Sequence, residues 1–175
     1  MSEIKVEKIG IEAVKELQQI SKQTFIETFS EVNTPENMAK YLEEALSEKK
    51  LASELNDPNS LFYFAYDGTN VIGYLKVNTG SAQTELKNGM ALEIERIYVT
   101  KEYLGKKVGQ LLYEKAITVA KELNADFVWL GVWEENPRAI AFYKKNGFIE
   151  FDKHIFKLGD DEQTDIMMKL TINAS

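Results

Sequence analysis

The chain has 175 residues, 44% of them hydrophobic, enough for one domain (residues 1–175) with a substantial core. It has no cysteine, which excludes disulfides, thiolate zinc sites and cysteine nucleophiles, and one histidine, which rules out a His-rich metal site and leaves no more than one possible serine triad. A net charge of -7 disfavours nucleic acid, whose phosphates need clustered Lys and Arg, and favours a cationic small molecule, although mild acidity for solubility explains the same number.

No apolar run is long enough to span a bilayer, so no membrane partner is expected. The start, Met1 to Lys8, alternates charge with apolar residues and has no continuous apolar stretch, so cytoplasm is the expected compartment. Residues 4–9 read as a first strand. Residues 11–30 carry Val14, Leu17, Ile20, Phe25 and Phe29 at helical intervals. A second helix opens at Thr34-Pro35-Glu36-Asn37, with Thr34 as cap and Pro35 in the first turn, and puts Met38, Tyr41, Leu42 and Ala45 on one face. A short helix covers Glu48 to Leu55 and stops at Asn56-Asp57-Pro58-Asn59.

Leu61 to Tyr66 is an aromatic strand, which leaves core and dimer interface both open; Asp67-Gly68-Thr69-Asn70 turns it into Val71 to Val77. Ser81 to Gly89 reads as a polar loop, and Ala91 to Val99 as the next strand. Val108, Leu111, Leu112, Ala116, Val119, Ala120 and Leu123 mark a strong amphipathic helix. Phe127 to Val132 is a buried-type strand. Asn136 to Asn146 is a helix with Asn136 as cap, Pro137 at the first position and Gly147 just past the end. Residues 148–158 and 164–172 close the chain as two strands. The pattern predicts an α/β domain, a mixed sheet with helices on both faces.

Three segments carry chemistry. In Gly105-Lys106-Lys107-Val108-Gly109, two glycines let backbone approach a ligand, two lysines add charge, and a helix start offers free N–H groups to an anion such as a pyrophosphate. A plain turn with a solvated rim fits the same residues. In Leu92-Glu93-Ile94-Glu95-Arg96-Ile97-Tyr98-Val99, strand alternation would put Glu93 and Glu95 on the face of Ile97 and Val99. Either the glutamates lie at a wet strand end, or a bulge resets the faces before Ile97; a glutamate in a cleft can serve as general base. In Asn136 to Phe148, Asn136, Ala139 and Tyr143 share a helical face, and Tyr143 either protonates a leaving thiolate or fills space against the sheet.

Together these segments resemble the GNAT superfamily of N-acetyltransferases. Residues 91–123 look like its main acetyl-CoA motif, and Asn136-Pro137-Arg138-Ala139-Ile140-Ala141-Phe142-Tyr143-Lys144-Lys145-Asn146-Gly147-Phe148 is similar to its second motif at nearly every characteristic position. The family usually has Gln or Arg where Leu104 stands and Gly where Lys107 stands. Further likeness to the PaiA-type spermine/spermidine N-acetyltransferases runs through Thr24 to Phe29, Pro35 to Met38, Trp129-Leu130-Gly131-Val132-Trp133-Glu134, His154 and residues 159–165.

The resemblance implies a mixed, mostly antiparallel central sheet whose strands splay after Tyr98 and Val132 to admit pantetheine. It implies acetyl-CoA as cosubstrate, no metal, and a small-molecule amine as acceptor, a polyamine such as spermidine or spermine. Pantetheine would pair with backbone at Ile97, Tyr98 and Val99, and the pyrophosphate would lie among Gly105, Lys106, Lys107, Val108, Gly109 and Gln110. Asn136 and Ala139 would meet the pantetheine arm, and Lys145 a phosphate. Tyr143 would be the acid and Glu95 the residue that relays the amine proton, with Glu93 the other candidate. Phe25, Phe29 and Tyr41 would form an aromatic wall for ammonium groups, with Glu93 and His154 also on the acceptor side. Asp160, Asp161, Glu162 and Asp165 read as an acidic run in a solvated turn. A protein N-terminus or another small amine as acceptor, and a regulator that binds acetyl-CoA without turnover, stand as alternatives.

Overall fold

A computed structural model of the chain describes residues 3–31, 33–85, 90–158 and 161–172. Among these, strands β1 (Ile4–Ile9), β2 (Ser60–Asp67), β3 (Asn70–Thr79), β4 (Ala91–Val99), β5 (Phe127–Trp133), β6 (Ile149–Leu158) and β7 (Asp161–Thr171) form one sheet in the order β1-β2-β3-β4-β5-β7-β6. Only β4 and β5 run parallel; the other neighbours are antiparallel. The expected mixed, mostly antiparallel sheet is therefore observed.

Helices α1 (Val14–Phe29), α2 (Pro35–Ala45) and α3 (Glu48–Leu55) cover one face, where Leu17, Ile20, Leu51, Phe62, Phe64 and Tyr74 pack together. Helices α4 (Val108–Glu122) and α5 (Pro137–Lys145) cover the other, over Leu75, Leu92, Ile94, Val128 and Leu130. Strand alternation supplies both cores from the same backbone. The aromatic strand β2 is core: Phe62, Tyr63 and Phe64 are all buried.

Local chemistry sets the element ends. Thr34 Oγ1 accepts from the Asn37 N–H at 3.1 Å and Ser47 Oγ from the Lys50 N–H at 3.1 Å, each satisfying a free donor at a helix start. At the end of α5, Gly147 has φ +95°, its N–H donates to Lys144 O at 3.0 Å, and the Phe148 N–H donates to Tyr143 O at 3.0 Å. That is a Schellman ending, completed by Phe148 packing on Tyr143 with ring centroids 5.5 Å apart.

Strand β7 begins at Asp161, earlier than the sequence pattern suggests. Asp161, Glu162 and Asp165 consequently lie in the β6–β7 ladder, not in a turn; Asp160 is outside the described residues. Of the loop read as Ser81 to Gly89, residues 86–89 are outside the described residues, and Gly80–Ala82 form a 3-10 turn.

Candidate active site

The β4–β5 pairing runs from Ala91↔Phe127 to Ile94↔Leu130 and stops. Beyond it β4 keeps β3 on one edge through Val99 and, among the described residues, has no strand on the other. The outward backbone groups of residues 95–99 therefore face a gap. Ile97, Tyr98 and Val99, the expected pantetheine partners, lie along it.

Strand β4 carries a bulge at the start of this gap. Lys76 of β3 pairs with Arg96 and Val77 with Ile94, so Glu95 is the extra residue. The bulge resets the faces: Leu92, Ile94, Ile97 and Val99 all turn to the α4 side, and Glu93, Glu95, Arg96 and Tyr98 to the other. The conflict between two glutamates and two aliphatics on one face is thereby removed.

On the α1–α3 side lies a cavity of 340 Å³. It gathers Phe25, Phe29, Tyr41, Glu93, Glu95 and His154, so every residue expected on the acceptor side lines one space. Phe25 stacks on Tyr41 with centroids 4.2 Å apart, and Phe29 packs on Trp133 at 4.9 Å. The segment after β3 closes one side through three consecutive residues. Trp129 Nε1 donates to Gln83 Oε1 at 2.7 Å, the Thr84 N–H donates to Glu93 Oε1 at 2.8 Å, and Glu85 Oε1 lies 2.9 Å from His154 Nδ1.

The two glutamates differ sharply. Glu93 is buried and also accepts from the Asn78 amide at 3.0 Å; burial pushes its pKa up, against the pull of the Asn78 and Thr84 hydrogen bonds. Glu95 is held by Lys76 Nζ at 2.7 Å, by Arg96 Nη2 at 3.2 Å and by the Asn78 amide at 2.7 Å. Its pKa falls to about 2: burial alone would raise it, but Arg96 and Lys76 more than offset that. Glu54 of α3 completes the network at 3.1 Å from both Lys76 and Arg96. The sequence pattern did not single out Lys76, Arg96 or Glu54. The only signal was a lysine and an arginine inside buried-type strands, where burial demands partners. Glu95 as the direct proton acceptor therefore meets a physical objection: a carboxylate stabilised so far towards its charged form binds a proton poorly at neutral pH.

Tyr143 does not line this cavity. It is 5% exposed on the α4 face, packed against Phe142 and Phe148, and burial followed by the nearby Tyr113 pushes its pKa up, so the hydroxyl stays protonated. Asn136 Oδ1 accepts from the Ala139 N–H at 3.1 Å, which caps α5 and leaves the amide Nδ2 as a donor. Ala139 packs against the apolar core on this side.

Helix α4 starts differently from α2, α3 and α5: no side chain caps it. Its N-cap, Lys107, has φ +66°, the left-handed conformation, where the family usually has glycine; Gly105 has φ +82°. The Lys106 N–H already donates to Tyr103 O at 3.2 Å. The N–H groups at the start of the helix, at Val108, Gly109 and Gln110, precede the first intrahelical donor and point out of the helix end. Lys106 Nζ lies 5.4 Å over the Tyr103 ring. The cation that reaches this loop from α5 is Arg138, whose Nη2 comes 3.5 Å from where a Gly105 Cβ would stand. Lys145 is exposed seven residues further along the helix, about 10 Å away by helical rise.

Among the described residues, no group of three or more His, Cys, Asp or Glu could hold a metal ion, and no helix is long and apolar enough to cross a membrane.

The model of the acetyltransferase (GNAT) family matches residues 14–148. An uncharacterized N-acetyltransferase from the pepI 3′ region of Lactobacillus delbrueckii subsp. lactis is 41% identical over 97% of this chain and 98% of its own length. A spermidine N(1)-acetyltransferase of Thermoplasma acidophilum is 25% identical over 95% of this chain and 96% of its own. The crystal structure of the PaiA N-acetyltransferase from Thermoplasma acidophilum, in complex with coenzyme A, shares the fold with TM-score 0.79 at 24% identity, covering 97% of this chain and 99% of that one. The chain belongs to the GNAT family and is an acetyl-CoA-dependent N-acetyltransferase.

Proposed function

We propose that this GNAT enzyme acetylates a primary amine of a polyamine, of the spermidine or spermine class, by direct attack on acetyl-CoA in a ternary complex. The observation that carries the reading is the gap beyond Ile94 and Leu130, with an acceptor-sized, carboxylate-lined cavity on one face and an uncapped helix start on the other. A thioester threaded along the gap presents its carbonyl to the cavity. Its diphosphate rests on the α4 N–H groups from Val108 to Gln110, with Lys106, Lys107 and Arg138 supplying charge. Ile97, Tyr98 and Val99 give backbone partners to pantetheine, and the Asn136 amide and Ala139 border the arm.

The acceptor reading draws on several supports. A relative named for spermidine aligns along almost the whole chain. The cavity pairs aromatic faces at Phe25 and Tyr41 with carboxylates at Glu85 and Glu93, a combination suited to a multiply charged ammonium. The net charge of -7 draws cations in.

In the reaction, the amine lone pair forms the N–C bond and the C–S bond breaks. Backbone N–H groups at the gap steady the oxyanion, and Tyr143 gives its proton to the departing thiolate. With no cysteine, the acetyl group passes directly, without a thioester on the enzyme. Glu95 and Glu54 together balance the charges of Lys76 and Arg96 beside the reaction and so keep the cavity from repelling a cation.

The test is a panel of acceptors (spermidine, spermine, a simple monoamine and a peptide with a free N-terminus) with acetyl-CoA and detection of free thiol. A kcat/KM for spermidine or spermine at least tenfold above the monoamine and the peptide is expected. Preference for the peptide would replace the polyamine reading by one of protein N-terminal acetylation.

A further inference from the structure

We propose that Asp165 is the carboxylate that takes the proton from the acceptor's ammonium, a role that rests on the reaction assigned above. Asp165 stands on β7 opposite Trp133 of β5 and His154 of β6. Its side chain leans diagonally across β5: Oδ2 lies 3.1 Å from where a Cβ would stand on Gly131. Gly131 is the first β5 residue past Leu130, the last that pairs with β4. The carboxylate thus overlies the one side-chain-free position at the mouth of the gap, where the thioester carbonyl is presented. Any larger residue at 131 would push it aside.

Among the described residues, four acidic groups line the cavity, and Glu85 lies 2.9 Å from His154 Nδ1. Glu93 is satisfied by Asn78 and Thr84, and Glu95 by Lys76, Arg96 and Asn78. Among the described residues, no donor holds the Asp165 carboxylate by a hydrogen bond or ion pair; it faces the cavity. Burial raises its pKa to about 6, with His154 pulling the other way. A base poised near the working pH can both accept and release a proton. The charged and titratable groups around it are His154 and Lys157 on β6, Glu85 beyond His154, Tyr41 from α2, and Glu93, Glu95, Arg96 and Tyr98 on β4.

The protons balance. Asp165 takes one from the ammonium and releases it to cavity water, which frees the nitrogen lone pair. After attack and C–S cleavage, the amide nitrogen carries one proton too many; Asp165 takes that proton. The sulfur has taken the Tyr143 proton, and the one on Asp165 returns to the Tyr143 oxygen through water. The net products are the acetylated amine, the free thiol and one proton.

The experiment is the pH dependence of kcat/KM for spermidine, or for the best acceptor of the panel, in the wild type, Asp165→Asn and His154→Gln, with acetyl-CoA affinity and thermal melting measured alongside. In the wild type, kcat/KM falls below about pH 6. Asp165→Asn lowers kcat/KM by about a hundredfold and abolishes that acid limb, with coenzyme affinity intact and melting no lower than in the wild type. His154→Gln removes the side chain that pulls this pKa down and moves the limb to higher pH. Asp165→Asn within twofold of the wild type, or with the acid limb unchanged, overturns the assignment while leaving the acetyltransfer reading in place. A wild type that acetylates no amine overturns both.

Discussion

The α4 face and the α1–α3 face of the sheet are made by the same strands, yet they solve opposite problems. On the α4 face β4 presents Leu92, Ile94, Ile97 and Val99 to Val108, Leu112 and Ala116, and burial of aliphatic surface supplies the stability. On the other face the same strand presents Glu93, Glu95, Arg96 and Tyr98, and the polar groups survive burial by being paired. One well-packed face allows the opposite one to hold desolvated charge and a cavity. The bulge at Glu95 is the hinge of that division, since it keeps aliphatics on one side both before and after it.

The comparison breaks most severely if the paired charges are undone. Lys76 is 5% exposed and touches both Glu54 and Glu95. Lys76→Ala leaves two buried carboxylates sharing one guanidinium and should cost about 3–5 kcal/mol, read as a lower denaturant midpoint. A comparable loss from Val119→Ala alone would show that the charged face carries no special weight.

On the α4 face, Tyr143→Phe removes one hydroxyl from a mostly apolar cluster. Turnover should fall by roughly ten- to a thousandfold while acetyl-CoA binding and melting temperature change little. Unchanged turnover would return Tyr143 to the status of packing.

Two carboxylates of the cavity sharpen the contrast through pH. Glu95 drops from 4.5 unfolded to about 2 folded, so its contribution is complete above pH 4.5 and lost as pH falls from there towards 2. Asp165 rises from 3.8 to about 6, so its burial opposes folding above pH 6, and that opposition fades as pH falls through 6 towards 3.8. Asp165→Asn should therefore raise stability by roughly 1–2 kcal/mol at pH 7.5 and leave it unchanged near pH 4. Glu95→Gln should lower it at pH 7.5. Denaturant titrations at the two pH values separate the signs.

The smallest effect concerns the helix start. Lys107 occupies a left-handed conformation at φ +66°. Lys107→Gly should stabilise the protein by up to about 1 kcal/mol. If the diphosphate rests on the backbone N–H groups there, as proposed, acetyl-CoA affinity should drop by less than the loss of one cation at a buried site would cause. Calorimetry with the coenzyme reads both.

The sequence by itself determined the local elements and the cofactor chemistry. Caps at Thr34 and Asn136, the glycine stop at Gly147 and the apolar periodicity of α4 each act within a few residues, so their physics is complete in the linear text. The acetyl-CoA expectation came from a family resemblance carried by short motifs, whereas a wet strand end and a bulge before Ile97 both stayed open until the β3–β4 register decided for the bulge.

Only the tertiary structure could decide which of these a residue would meet. Lys76, Arg96 and Glu54 come from three elements and are explained only by one another. Glu95 read as a free base and emerged bound; Asp165 read as part of a solvated turn and emerged over Gly131 at the gap. The physical reason is that a carboxylate's proton affinity is set by burial and by charges within a few ångströms. Those neighbours are brought there by pairing of strands distant in the chain, as when β5 takes β7 beside it and sets Asp165 opposite Trp133.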